Sequence, residues 1–386
     1  MTTAAATTTP ELAAPQSVSL GEWIDRHSGR LMVLPAVLVV LAFAIFPLII
    51  SAYLSLSRFA LAAGGFKLTF VGFDNYRRLL FGSQQYHLLG TFGAFGALEW
   101  TLAVLAAAAL FYWIVRYASS PLFSAVGLIG RLIAAGVGLG VTLLALATIV
   151  AKGGFPGSLM VTLVYVALGV TVQFALGLGL ALLCAQPIRG RNFFRLIFFL
   201  PLMITPVGIA YMFRMLADME KGPFAPLRFA LHLGEFAWAT DPWLARLVVL
   251  AGDTWQWTPF MFIVLLAAVE NQPREQLEAA TMDGANGWEL FRDITWPSIA
   301  PAAATVVLIR LIEAFKIVDL PNVLTNGGPG TATESLTLHA FIAWRTQQLG
   351  MSAAVGYLLL FVVTVTCVSF FSFFVQRTRV HELEAR

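Results

Sequence analysis

Mostly apolar runs of about twenty or more residues recur along this chain, roughly over 31–54, 92–115, 122–150, 158–184, 195–217, 244–269, 300–318 and 351–375. Each is about as long as an α-helix must be to cross the ~30 Å hydrocarbon core of a bilayer. Inside hydrocarbon only helices and closed barrels satisfy every backbone polar group, and the short alternating strands of a barrel do not dominate here. The expected fold class is therefore all-α, a polytopic integral membrane protein. Composition agrees: with 59% hydrophobic and 12% charged residues and a mean hydropathy of +0.80, 386 residues cannot form a soluble globular domain. A net charge of +3 gives no reason to expect a nucleic-acid partner, and membrane lipid is the expected surrounding.

An even number of spans puts both termini on one side. Arg26, Arg30, Arg189, Arg191, Arg195, Arg274, Arg292, Arg377 and Arg379 then share that side, which the positive-inside rule makes cytoplasmic, although Arg58, Lys67, Arg77 and Arg78 fall outside. Residues 1–30, rich in Ala and Thr and without the basic start of a secretory signal, are expected to be a flexible cytoplasmic tail. The first apolar run is too long for a signal-peptide core and reads as a retained signal anchor. Cys184 and Cys367 lie in apolar spans, with no Cys-x-x-Cys spacing and no clustered histidines, so neither a disulfide nor a metal site is expected. The phosphate-loop pattern Gly-x-x-x-x-Gly-Lys-Ser/Thr is missing, and the lysines are only Lys67, Lys152, Lys221 and Lys316. Nucleophile-elbow and His-Glu-x-x-His patterns are missing too. The chain is expected not to be an enzyme and to hold no cofactor of its own.

One long polar island, Pro273 to Pro301, separates two spans. Pro273 suits the first turn of a helix, Glu275 and Glu278 complement its positive end, and Asp283-Gly284 supplies a stop. Asn286 can cap a second helix with Glu289 three residues on, and Pro297 is expected to prevent its simple continuation. Leu277, Ala280 and Thr281 share one side of the first helix, and Leu290, Phe291 and Ile294 group on the second. Two short helices with a tight corner result.

Polar groups inside spans mark a second region. Asp253-Thr254 leads into Trp255, Gln256, Trp257, Thr258 and Pro259, where the proline frees a carbonyl and can kink the helix. Such a patch either lines a cavity that receives a sugar ring or belongs to an interfacial aromatic belt. Arg310, Glu313 and Lys316 follow at i, i+3 and i+6 on the next span and must face the protein interior or a wet path. Arg310 and Glu313 either pair within the helix or contact the transported solute. Asn322, Gln173, Thr205 and Tyr211 are further pathway candidates that also fit ordinary helix–helix hydrogen bonds, and Met203 and Met212 read as packing residues. Glu99 and Arg131 are expected to snorkel towards an interface rather than form a functional ion pair. On the segment 55–91, Asp74 can cap a short helix through Leu80.

The pattern Glu278-Ala279-Ala280, Asp283-Gly284-Ala285, Phe291, Ile294, Pro297 and Pro301 resembles the EAA loop of the membrane subunits of binding-protein-dependent ABC importers. Phe70 to Tyr76, the Phe315-Lys316-x-x-Asp319-Leu320 pattern and the glycine-proline loop Leu324 to Gly330 are similar to the carbohydrate branch, the maltose and glycerol-phosphate type permeases. The resemblance implies a six-span type I permease core plus two extra spans in the N-terminal half. It divides the chain into the tail 1–30, a first span and external loop over 31–91, a two-span insertion over 92–155, a core over 156–379 with its coupling loop 271–301, and a tail 380–386. It also implies that Glu278 to Ala285 form a coupling helix that fits a cleft in a separate ATPase, with Gly284 at its corner. The implied partners are a second homologous permease, a dimeric ABC ATPase that binds ATP and Mg, and an extracytoplasmic solute-binding protein. The implied activity is carbohydrate import by alternating access across the inner membrane of a bacterium or archaeon. A nonsugar importer and an ion-driven secondary transporter, for which Glu313 is the strongest carboxylate, remain open alternatives.

Overall fold

The computed structural model describes residues 20–62, 65–120, 124–187, 189–218, 220–223, 225–230 and 238–384. It comprises two units, Met1–Tyr53 and Leu54–Arg386. Among the described residues, seven helices are long and apolar enough to span a membrane: α1 (Met32–Ser55), α4 (Ala97–Ala118), α5 (Ala125–Val150), α6 (Ser158–Ala185), α9 (Pro242–Glu270), α11 (Gly287–Ala314) and α14 (Leu349–Ser372). Between them lie α2 (Asp74–Phe81), α3 (Gln85–Leu88), α10 (Arg274–Met282), α12 (Asp319–Thr325) and α13 (Leu336–Arg345). The expected tails are partly helical. Helix begins at Leu20, ahead of α1, and the last helix runs on to Glu384. Residues 1–19 of the first tail, 385–386 of the second and 219, 224 and 231–237 of the expected outer segment 218–243 lie outside the described residues.

The run over 195–217 is not one straight helix. Arg191–Met203 (α7) and Pro206–Ala217 (α8) are bent by 101° at a short break. Pro206 holds the preceding Thr205 extended, at ψ 145°, and the Thr205 hydroxyl accepts from Gly208 N at 3.3 Å to start the new helix. Counted as one broken span, this pair makes the eighth crossing. Arg195 on α7 donates to Cys184 O at 2.8 Å and pairs with Glu270, which gathers the ends of α6, α7 and α9.

Two short sheets interrupt the helical plan. Ser57–Ala62 (β1) and Gly65–Phe70 (β2) form an antiparallel hairpin in which Phe59 stacks on Phe66 at 5.8 Å between ring centroids. Ala62 pairs with Gly65 at the closed end of the hairpin. Asp74 is the first residue of α2 rather than its cap; its carboxylate bonds Arg58 on β1 at 2.8 Å. Buried Asn75 donates to Ser55 O and Ser57 O at 2.8 and 2.9 Å, which fixes α2 beneath the hairpin.

Gly90–Thr91 (β3) pairs with Phe155–Pro156 (β4), so the chain leaves for α4 and returns from α5 at one point. Only glycine fits at position 90: φ is +94°, and a Cβ would stand 2.0 Å from Phe155 O. Glu99 does not snorkel; it accepts from Gly96 N at 2.8 Å and caps α4. The Arg131 guanidinium lies 3.6 Å from the Tyr117 ring centroid, a cation–π contact between α5 and α4.

The main core lies among α6, α9 and α11, where Val170, Phe262, Leu265, Val306 and Phe315 pack together. A second cluster, including Leu79, Leu88, Leu336, Met351 and Val355, packs α2 and α3 against α13 and α14. Close approach of α6 to α9 depends on Gly177, where a Cβ would stand 2.5 Å from Met261 Cβ and 3.0 Å from Phe262 N. Gly177→Val is expected to wedge this pair apart at a cost of about 1–3 kcal/mol. A lowered thermal unfolding midpoint of the detergent-solubilised protein, with no change for Gly179→Val, where no atom lies within 4 Å of the added Cβ, checks the point.

Candidate functional site

The polar island folds as a corner between α10 and α11. Pro273 precedes the first residue of α10. At the other end Gly284 takes φ +85°, Ala285 N donates to Ala280 O at 3.0 Å, and Gly284 N donates to Thr281 O at 3.1 Å. This pair of bonds is a Schellman closure, which satisfies the last carbonyls of the helix and needs a left-handed residue at its turn. Asn286 Oδ1 then accepts from Trp288 N and Glu289 N at 3.0 and 3.1 Å, while Glu289 Oε2 accepts from Asn286 N at 2.8 Å. The capping box starts α11 one residue after the corner's last bond.

The expected interruption at Pro297 does not occur. A π-helical turn over Leu290–Thr295 leads directly into Trp296–Ala314, so α11 is continuous from Gly287. The wider turn shifts the hydrogen-bond pattern just ahead of Pro297, where a regular α-helix would lack a donor and clash. Glu278, Ala279, Asp283 and Gly284 are exposed, Ala280 and Ala285 are half-buried, and Phe291 and Ile294 turn partly inward while Pro297 stays exposed. Two side chains that sequence reasoning missed dominate the tip: Met282 is 87% and Trp288 66% exposed. An aromatic series runs inward from there, Trp288 to Phe291 at 5.7 Å, Phe291 to Trp296 at 6.3 Å and Trp296 to Phe174 on α6 at 6.3 Å.

Some 35 Å along α11, at 1.5 Å per residue, stands Arg310. It is fully buried and does not pair with Glu313 along its own helix. Its Nε donates to Gln173 Oε1 on α6 at 2.7 Å, and its terminal nitrogen donates to Asp253 on α9. Gln173 Nε2 donates to the same Asp253 oxygen at 2.8 Å, and the Trp257 ring lies 4.6 Å from the guanidinium carbon. Three spans are thus tied by one closed polar cluster. A guanidinium in an apolar interior is tolerated only with such a counter-charge and its hydrogen bonds. Glu313 instead pairs with Lys316 at 2.6 Å. Asp253 was hidden in the sequence because its partner is 57 residues away, and proximity along a helix favoured Glu313.

The candidate pathway residues separate into two groups. Gln256, Trp257, Glu313 and Lys316 line one cavity of about 120 Å³ together with Asp253, Pro206 and Asp319. Gln256 Oε1 is buried there without a hydrogen-bond partner. Trp255, Thr258 and Pro259 face an apolar groove of about 770 Å³ walled by α6, α7 and α9. Arg310 is buried behind the cavity, and Asn322 lies on α12 away from both. Gln173 is a helix–helix bond, Thr205 a cap, and Tyr211 and Met203 are exposed.

At the far end of α9 from the 271–301 corner, the glycine-proline loop is not a simple connecting turn. Ala332 to Leu336 are buried. Arg246 Nε donates to Ala332 O at 2.6 Å, Ser335 Oγ to Ile317 O at 2.5 Å, and Leu336 N to Thr162 Oγ1 at 2.8 Å. Asn326 and Gly327, at φ 51° and 87°, make the reversal that lets the loop return into the bundle.

This fold and its corner define a multi-pass membrane subunit of a transport system. Residues 175–380 match the family of the binding-protein-dependent transport system inner membrane component, and the chain belongs to that family. It is 31% identical over 201 residues to a trehalose/maltose transport system permease protein of Thermococcus litoralis, covering 52% of this chain and 68% of the relative. To an sn-glycerol-3-phosphate transport system permease protein of Agrobacterium fabrum it is 30% identical over 232 residues, 58% of this chain and 76% of the relative. Its fold is similar to a chain of a bacterial ABC transporter involved in alginate import, with a TM-score of 0.64 and 18% identity over 92% of this chain and 98% of that one.

Removing Asp253 as Asp253→Leu strands a buried guanidinium and is expected to cost about 3–5 kcal/mol, whereas the double change Asp253→Leu with Arg310→Met recovers most of that loss. Thermal unfolding in detergent compares the three proteins. Were Arg310 paired with Glu313, Glu313→Leu would be equally damaging, and it is expected to be mild.

Proposed function

We propose that this chain is the transmembrane permease subunit of an ATP-binding-cassette importer that carries a sugar or related polyol across the cytoplasmic membrane. The observation that carries this reading is the α10–α11 corner, whose exposed tip of Met282 and Trp288 is joined without a break to the helix that holds Arg310. Exposed large apolar side chains on a polar loop suit insertion into a cleft of a partner. That partner is a dimeric ABC ATPase, which binds the ATP and Mg; this chain hydrolyses nothing itself. When the ATPase pair closes, the corner moves with it. A helix of 28 residues, about 42 Å long, transmits the displacement to the Arg310–Asp253–Gln173 cluster and the cavity beside it.

In this reading the 271–301 corner and both termini are cytoplasmic, and the anchored 326–335 loop faces outward, where a solute-binding protein delivers its load. The cavity of about 120 Å³ is smaller than the several hundred Å³ of usual ligand pockets, so a second, related permease completes the path. Gln256 Oε1, an acceptor without a donor, suits a solute hydroxyl. Relatives named for trehalose, maltose and glycerol phosphate support the carbohydrate class. Residues 156–379 then form the core, and 92–155 an inserted helical hairpin, a division that the β3–β4 closure supports. Asp253 and Glu313 are both engaged by cationic side chains, which disfavours a secondary transporter driven by ions on either carboxylate.

Reconstituted in liposomes with its ATPase, second permease and binding protein, the complex is expected to hydrolyse ATP several-fold faster when the binding protein carries a sugar. Stimulation by amino acids and by no carbohydrate would overturn the substrate class. Gly284→Pro removes the N–H that closes α10 and forbids positive φ. Uptake by that variant is expected to fall by an order of magnitude or more while the purified spans remain assembled, measured as solute transport per ATP hydrolysed.

A further inference from the structure

Two of the five histidines, His87 and His339, are far apart in the sequence but meet in the fold. His87 on α3, Glu334 in the glycine-proline loop and His339 on α13 come together at the end of the bundle opposite the α10–α11 corner, each offering a ligand atom within 4.8 Å of the others. We propose that His87, Glu334 and His339 form a binding site for a divalent transition-metal ion, with zinc the expected occupant. The ion would staple the segment that precedes the α4–α5 hairpin to the loop and helix that precede the last span. Sequence spacing gave no hint of it, because His87 lies about 250 residues from Glu334 and His339, and those two alone make no metal motif.

Three observations carry the proposal. First, the Glu334 side chain is 4% exposed, and its buried Oε1 has no hydrogen-bond donor. A carboxylate oxygen removed from water without a partner is costly, and a cation bound there would offset that cost. Second, the two atoms that face it are imidazole nitrogens at distances that suit a shared ion better than a shared proton. Glu334 Oε1 lies 3.8 Å from His87 Nδ1 and 3.7 Å from His339 Nδ1. Both separations are too long for hydrogen bonds. In a tetrahedral site with bonds of about 2.1 Å, neighbouring donor atoms stand about 3.4 Å apart, so the two Glu334–imidazole separations need to close by only a few tenths of an ångström, and all three ligand atoms already lie within 4.8 Å of one another.

Third, the surroundings are those of a ligand set rather than of a salt bridge. His339 Nδ1 meets the buried Ser158 hydroxyl at 3.1 Å; an ion would take the hydroxyl's place at that nitrogen and leave the hydroxyl beside the fourth position. The His87 and His339 rings sit edge to face with centroids 5.5 Å apart, and Tyr86 packs on His87 at 4.4 Å, so both rings are oriented before any ion arrives. The His87 side chain is 27% exposed and gives the ion its way in. Two imidazoles with one carboxylate and an open position match the ligand chemistry of zinc and its first-row neighbours and exclude a preference for calcium or magnesium.

The test uses the full chain, co-expressed with its partner subunits and purified in detergent without a histidine tag. Metal is stripped with a chelator, and Zn²⁺ is titrated against a chromophoric competitor. One equivalent per chain is expected for the wild type, with affinity at least ten-fold weaker for both His87→Gln and Glu334→Gln. Co²⁺ supplies a reading that depends on no variant. One equivalent is expected to give the visible absorption of a four-coordinate ion with nitrogen and oxygen ligands, and Zn²⁺ is expected to bleach it. A wild type that binds no saturable equivalent of either ion overturns the proposal, as does undiminished binding by both variants. Because the readout is metal binding, a failure here leaves the transport function untouched, and a failure of the transport assay leaves this site standing.

Discussion

The buried contact between Arg310, Asp253 and Gln173 is the interaction on which the rest of the bundle depends. It places a charge from each of two spans and an amide from a third at one point, where none of the three can be moved without leaving another unsatisfied. Apolar packing among α6, α9 and α11 would tolerate rotation or sliding of one helix along another, because leucine and valine contacts are not directional. The guanidinium is directional. Its planar donors accept only one arrangement of the carboxylate and amide, so the cluster selects the register of three helices as well as contributing to their cohesion.

That register also bears on the corner between α10 and α11. A rigid helix begins at the capping box of Asn286 and carries Arg310 near its other end, so the two polar features of the molecule share one stiff body. The π-helical turn ahead of Pro297 preserves this continuity. Pro301 stands inside the regular helix between the corner and the cluster, and the helix runs on past it as one element. At the opposite end, the glycine-proline loop is held by Arg246, Ser335 and Thr162, so hydrogen bonds from α9 and α6 close the bundle beside the packing of Leu336 on α14.

Much of the helical plan was legible because hydrocarbon imposes a length and an exclusion of charge that a sequence displays directly. The corner was legible for a different reason: caps are local, and Gly284, Asn286 and Glu289 act within a few residues of themselves. What was not legible needed contacts between distant segments. Asp253 was obscured because helical spacing pointed Arg310 towards Glu313, and only the packing of α9 against α11 shows that a carboxylate on the neighbouring helix is better placed. The break at Thr205–Pro206 did have a local signal in its proline, but it was outweighed by the apolar character of the surrounding run.

The sequence by itself determined that this chain lives in a membrane, roughly where most of its spans lie, and that one polar corner joins two of them. These follow from short-range chemistry: burial of apolar length, capping of exposed N–H and C=O groups, and the left-handed turn that glycine permits. Tertiary structure alone decided which charges meet. Arg310 with Asp253 and Gln173, and His87 with Glu334 and His339, are partnerships between residues far apart in the chain. Electrostatic partners in a low-dielectric interior are chosen by distance in space, and a sequence records that distance only where the two residues share a turn of helix or strand.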